Sequence, residues 1–376
     1  MLGRWGLVAA LVLARAAFGF QFQSIASLAP ELTRAFGLDY TRLGTLIGLY
    51  MAPGILAALP GGLLGRRFGE RGLLASGLLL MAIGPVASGF ATTAGALGAG
   101  RVLAGTGAVM LTVLLGKIAA DRFEGRAFVA AMSLIVGAFP LGVGLCGLLQ
   151  ASLVGRIGWQ GIMAVGGGIA AAALILFVLV PGRPEAGTRS WSFPNRLECL
   201  RALAAGLVWT TYNAAFVGFL AYVPSLLAYE GRGPRASALV LTVATWLNFP
   251  AMLAGGMLAG RWGEGRVFAV GSLAVAVAVA GIALVGPPLL WGVAFGTLAS
   301  LHPGVIVARG TLSARPEHRA VAMGLFYSLY YVGGAVLPAL CGRAADLAGT
   351  PAAALLASAA ISVLALPLWW LNARLA

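Results

Sequence analysis

Gly61-Gly-Leu-Leu-Gly-Arg-Arg-Phe-Gly-Glu70 and Gly255-Gly-Met-Leu-Ala-Gly-Arg-Trp-Gly-Glu264 are one ten-residue phrase written twice, 194 residues apart. Six of the ten positions are identical, and Leu63/Met257 and Phe68/Trp262 are close equivalents. The same offset pairs Pro30-Glu31-Leu32 with Pro224-Ser225-Leu226. Each phrase follows a long apolar run and precedes another. Each therefore reads as a tight, basic, Gly-rich turn between two membrane helices, and the chain reads as one half repeated.

Outward from these turns, the composition agrees. The chain is 60% hydrophobic and only 10% charged, against roughly 25% charged residues in soluble domains. The net charge of +14 does not form a nucleic-acid-binding patch, because the basic residues sit in short loops between apolar runs, as positive-inside topology requires. Three scattered cysteines, Cys146, Cys199 and Cys341, have no metal or disulfide spacing. Arg15 and Gln21 interrupt the first apolar run and no small-residue cleavage site follows, so that run is expected to be a membrane helix rather than a signal peptide.

A bilayer core takes about 20 apolar residues per helix. Twelve such stretches are present: Trp5–Ala29, Leu43–Leu64, Leu73–Thr92, Leu97–Ile118, Ala127–Ser152, Gln160–Val180, Leu200–Leu227, Ser237–Ala259, Val267–Val285, Leu289–Ala308, Ala320–Cys341 and Pro351–Leu371. The expected organisation is an N-terminal six-helix bundle over residues 1–180, a cytoplasmic linker over 181–198 and a C-terminal six-helix bundle over 199–376. With the N-terminus inside, seventeen Lys and Arg fall on the cytoplasmic side and six outside, while Arg15 and Arg101 lie within helices. That asymmetry puts both termini in the cytoplasm.

The first turn resembles the loop between helices two and three of the major facilitator superfamily, G-x-L-x-D-R-x-G-R-R. Gly62, Leu63, Arg67, Gly69 and Arg71 match; Arg66 replaces the Asp and Glu70 an Arg. The second copy supplies Gly256, Arg261 and Gly263, with Gly260 at the Asp position. Arg101-x-x-x-Gly105-x-Gly107 resembles the family's fourth-helix motif. Pro140, Gly142 and Gly144 echo its fifth, with Phe139 in place of the first Gly. Tyr330 to Pro338, followed by Gly342 and Asp346, is like its eleventh. The resemblance covers essentially the whole chain. It implies an all-α protein of two bundles with a solute site between them near the midplane. The run Phe18-Gly-Phe-Gln-Phe-Gln-Ser24 is similar to that of the family's cyanate/nitrate-type permeases.

Ionisable groups inside a membrane are costly, at least about 2.5 kcal/mol on insertion scales, so they mark candidate sites. Arg15 lies ten residues into the first stretch, roughly 15 Å deep at 1.5 Å per residue, with Gly19 and Gln23 following on its face. Arg101 is the second buried cation; the matching family Arg lies near helix one. Beside a substrate role for Arg15 stands carbonyl pairing or snorkelling, and beside one for Arg101 a structural Arg at a helix end. His302, before Pro303, is either a titrating site or a packing residue. Trp209, Tyr212 and Asn213, then Trp246, then Tyr327, Tyr330 and Tyr331 fall at helical spacings and either line a cavity or pack. All eleven carboxylates map to loops or helix ends, so the cavity is expected to favour anions.

These readings point to a secondary transporter of a small, anionic solute in the bacterial cytoplasmic membrane. The alternative is a drug or hydrophobic-compound efflux antiporter. No enzymatic constellation, metal set or cofactor motif is present. The expected partners are the lipid bilayer, the small-molecule substrate and a co-transported ion, with the protein a monomer.

Overall fold

Backbone N–H and C=O groups in a bilayer core find no water, so a long apolar run must satisfy them internally, as a helix does. The computed structural model describes residues 4–57, 69–181 and 193–375, and these are helical apart from short turns and extended ends. Among the described residues before the first turn phrase, the helices are α1 (Arg4–Ser27), α2 (Ala29–Phe36), α3 (Tyr40–Gly48) and α4 (Pro53–Ala57). There follow α5 (Glu70–Gly89), α6 (Ala94–Ala120) and α7 (Gly125–Leu179). The second part of the chain holds α8 (Arg196–Tyr229), α9 (Pro234–Trp262), α10 (Glu264–Leu284), α11 (Pro288–Thr297), α12 (Pro303–Thr311), α13 (Arg319–Ala348), α14 (Pro351–Val363) and α15 (Ala365–Leu375). Each of the twelve expected stretches meets helix. Among the described residues, 9 helices are long and apolar enough to cross a membrane.

Prolines and one glycine explain where the helices depart from the expected stretches. The first helix stops at Ser27, and Pro30 sits in the first turn of α2, where its missing N–H costs nothing. The second stretch breaks before Pro53, the first residue of α4; its continuation over 58–64 lies outside the described residues. The tenth stretch is two helices, α11 and α12, because Pro303 cannot donate to the preceding turn. The fifth and sixth stretches run into one another, their arms separated by Gly158 alone (φ 67, ψ 177), a backbone region that essentially only glycine adopts. The seventh helix begins earlier than expected, at Arg196. The Asn195 side chain accepts from Glu198 N while the Glu198 side chain accepts from Asn195 N, a capping box.

The repeat is visible in the backbone. Gly37 (φ 62) and Gly231 (φ 72) turn the chain at one end of the molecule, and Gly69 (φ 76) and Gly263 (φ 87) at the other. Both pairs keep the 194-residue offset of the turn phrases.

Without a hydrophobic force between helices in lipid, close packing of small residues holds them together. Helix α1 lies along α7, where Gly19 meets the Phe139 carbonyl and Gly142 the Ala16 carbonyl. The two parts of the chain meet where α3 and α4 pack on α13, where the first arm of α7 packs on α9, and where α1 and α2 pack on α8. Trp369 is 8% exposed and stacks on Phe268 at 4.2 Å. Trp370 is 56% exposed.

Candidate functional site

Arg15 sits near the middle of the 24-residue α1. Its Nη1 donates to Thr112 Oγ1 on α6 at 3.3 Å. Its guanidinium lies 4.7 Å from the Phe18 ring and 5.2 Å from the Phe139 ring, cation–π distances. Nε has no hydrogen-bond partner, and among the described residues no carboxylate pairs with the side chain. The hydroxyls of Tyr330, Tyr331 and Tyr327, from α13, lie within electrostatic reach, as does that of Tyr50. Arg15, Thr112, Phe139, Tyr327 and Tyr330 all keep partial exposure inside long apolar helices. Residues of both parts of the chain thus converge on Arg15, and this partly exposed cluster is the candidate cleft.

On the far side of this cleft, Trp209 continues the aromatic wall. Its ring lies 6.1 Å from Tyr330 and 5.4 Å from Tyr212, and its buried Nε1 has no partner. Tyr212 is itself buried and leads away from the cleft to His302, 4.7 Å between ring centroids. His302 is 0% exposed, packed on Gly271 and Phe268, with Ser272 Oγ 3.5 Å from Nε2. Its ring is thus a second layer behind the aromatic wall.

The other sequence candidates separate from Arg15. Gln23 is buried and donates to the Leu220 carbonyl at 3.0 Å, joining α1 to α8. Arg101 is 2% exposed and is held by the Gln21 carbonyl, Leu46 O at 3.4 Å and Ser24 Oγ at 3.4 Å, with Tyr50 stacked 4.4 Å away. Gln21, in turn, donates to Met81 O and Gly166 O and accepts from Tyr50. This network fastens α1, α3, α5, α6 and α7 together. Asn213 donates to the Trp209 carbonyl at 2.8 Å and faces a cavity of about 10 Å³ between α8 and α13, room for about one water. Trp246 is 45% exposed and lies on Gly144 at the α7–α9 seam.

Of the turn residues, Gly62 and Arg67 lie outside the described residues. Gly69 and Gly263 carry the positive φ that starts α5 and α10. Gly256 has open space around it, and Arg261 ends α9, exposed. Arg71 donates to the carbonyls of Phe177, Val178 and Val180, tying the start of α5 to the end of α7.

Sequence reasoning did not select Phe18, Phe139, Thr112 or Tyr50 as cleft residues. Phe18 carried a usable signal, since i+3 places it on Arg15's face. Thr112 carried none, because its role depends on how α6 meets α1.

Among the described residues no group of three or more His, Cys, Asp or Glu could hold a metal. A protein of long apolar helices whose two parts converge on a partly exposed cation has the build of a solute carrier. The chain belongs to the major facilitator superfamily, whose family model matches residues 11–336. It is a multi-pass membrane transporter and not an enzyme. It is similar to the 3-(3-hydroxy-phenyl)propionate transporter of Escherichia coli (strain K12), 25% identical, covering 92% of this chain and 88% of that one. It is similar to monocarboxylate transporter 11 of Homo sapiens, 29% identical over 96% of this chain and 81% of that one. Its match to the 4-hydroxybenzoate transporter of Pseudomonas putida is 28% identical but spans 43% of this chain and only 37% of that protein's length. In fold it resembles the crystal structure of a D-xylose-proton symporter, with TM-score 0.79 at 16% identity, covering 97% of each chain.

Proposed function

We propose that this carrier moves a small organic anion, an aromatic or other monocarboxylate, across the bacterial cytoplasmic membrane by alternating access. The observation that carries the reading is Arg15: a partly exposed guanidinium at mid-depth, with one N–H unpartnered and no carboxylate facing it among the described residues. An entering carboxylate accepts parallel charge-assisted hydrogen bonds from such a fork. The flanking rings of Phe18, Phe139 and Tyr330, and Trp209 beyond, suit a planar solute body. Three relatives named as transporters of 4-hydroxybenzoate, of 3-(3-hydroxy-phenyl)propionate and of monocarboxylates support the solute class. In this reading the bundles 1–180 and 199–376 rock about the cleft, joined by a cytoplasmic linker at 181–198. Both termini are cytoplasmic. The duplicated phrases that carry Gly62, Arg67 and Gly69 and Gly256, Arg261 and Gly263 are matched elements of the inner gate.

The test is binding and uptake of benzoate and 4-hydroxybenzoate by reconstituted wild type, Arg15→Lys and Arg15→Gln. Lys keeps the charge and loses the fork, so affinity falls about tenfold or more, roughly 1.4 kcal/mol or above. Arg15→Gln folds but shows no measurable uptake. Normal handling of either acid by Arg15→Gln, or no binding of any monocarboxylate by wild type, overturns the reading.

A further inference from the structure

Helix α3 begins with a problem that its own part of the chain solves only partly. The first N–H groups of a helix lack intrahelical acceptors. Asp39, the residue before α3, accepts from Arg42 N at 2.7 Å. The two remaining donors, Tyr40 N and Thr41 N, are taken by Asp346 near the end of α13. Its two carboxylate oxygens accept one each, both at 2.9 Å, and the Thr41 hydroxyl donates to the same group. A carboxylate on a helix N-terminus also meets the positive end of the helix dipole.

Around this cap the two helices touch backbone to backbone. Gly44 faces the Pro338 carbonyl, Gly48 the Ala335 carbonyl and Gly342 the Tyr40 carbonyl, with no room for a Cβ at any of the three. The Tyr222 hydroxyl bonds to the Pro338 carbonyl beside them. Sealed this closely, the end of the molecule carrying Gly37 and Gly231 passes no solute between α3 and α13.

We propose that Asp346 is the latch that holds the two halves shut at this end, and that its release from Tyr40 and Thr41 is an obligatory step of transport. The glycines set how closely the helices approach, and Asp346 sets how long they stay. The inference rests on the alternating-access reading but not on the identity of the solute, so its test uses none.

The experiment is pulsed electron–electron spin distance measurement on reconstituted full-length protein. Labels sit at Arg34→Cys and Arg232→Cys, exposed positions on opposite halves at this end, with Cys146, Cys199 and Cys341 replaced by Ala or Ser. Asp346→Asn removes the charge and one acceptor, and the ratio of long to short distances should rise at least about tenfold, the equivalent of one charge-assisted bond. Thr41→Val removes one donor and moves the ratio less, in the same direction. Asp346→Glu keeps a carboxylate and shifts it less than Asp346→Asn. Asp39→Asn, which alters the cap within one half, leaves the distances unchanged. A distance distribution in Asp346→Asn that superimposes on the unaltered pair overturns the proposal. So does an equal shift in Asp39→Asn, or in Asp346→Glu.

Discussion

Arg15 and Thr112 share a hydrogen bond whose direction the structure dictates. The Thr112 hydroxyl gives its own proton to the Ala108 carbonyl at 2.9 Å, so toward Arg15, 3.3 Å away, it presents a lone pair. The guanidinium is thereby aimed while its Nε stays unpartnered. Thr112→Val removes this acceptor. Solute affinity is expected to fall about three- to tenfold, the worth of one such bond, while Thr112→Ser keeps it. Titration of carboxylate binding in detergent reads both variants; equal affinities for Val and Ser would show that Thr112 does not aim the group.

Arg101 has an unpartnered Nη2, as Arg15 has an unpartnered Nε, but differs in being held by the backbone carbonyls of Gln21 and Leu46. Arg101→Leu leaves Gln21 O, Leu46 O and Ser24 Oγ without their cationic donor. Unfolding stability is expected to drop by roughly 2–4 kcal/mol, the range for lost hydrogen bonds to a buried charge. The fraction that remains folded should bind solute with near-normal affinity. Thermal melts and binding on the same preparation separate the two effects.

His302 is enclosed by Tyr212, Phe268, Gly271 and Ser272. His302→Ala opens a void among them and should lower the melting temperature, by the cavity effect common to buried ring deletions. The pH profile of uptake in the folded variant should keep its shape, because Tyr212 and Trp209 stand between the imidazole and Arg15's surroundings. Uptake measured across the physiological pH range decides; a flattened profile would make His302 a working titratable group.

Gly48 is the clearest place to hold the gate open by sterics alone. Any side chain there meets the Ala335 carbonyl, which belongs to the helix backbone and cannot swing away. Gly48→Val should still bind solute but lose transport, since the α3–α13 seam cannot close. Loss of binding and transport together would indicate misfolding instead.

The all-helical build was legible because a bilayer imposes one backbone solution and one length scale on apolar sequence. Gly69 and Gly263 announced themselves in the duplicated phrase. Arg15 stood out in the sequence because a charge inside a membrane helix is costly. The breaks at 49–52 and 298–302 were only half legible: Pro53 and Pro303 were visible, but whether a proline bends or severs a helix depends on its neighbours. That Gln23 Nε2 meets the Leu220 carbonyl of α8 was not legible, because eight residues of helix return a side chain only roughly to the same face and the neighbour is set by packing. Asp346 stood in the sequence as a carboxylate at a helix end; nothing near it in the chain reveals that its partners are 305 and 306 residues away.

That separation bears on how the molecule comes to exist. The start of α3 leaves the ribosome with two of its amides unclaimed, and the group that claims them is made some three hundred residues later. Until then Tyr40 N and Thr41 N lack this acceptor, so the α3–α13 seam can close only once synthesis has passed Asp346.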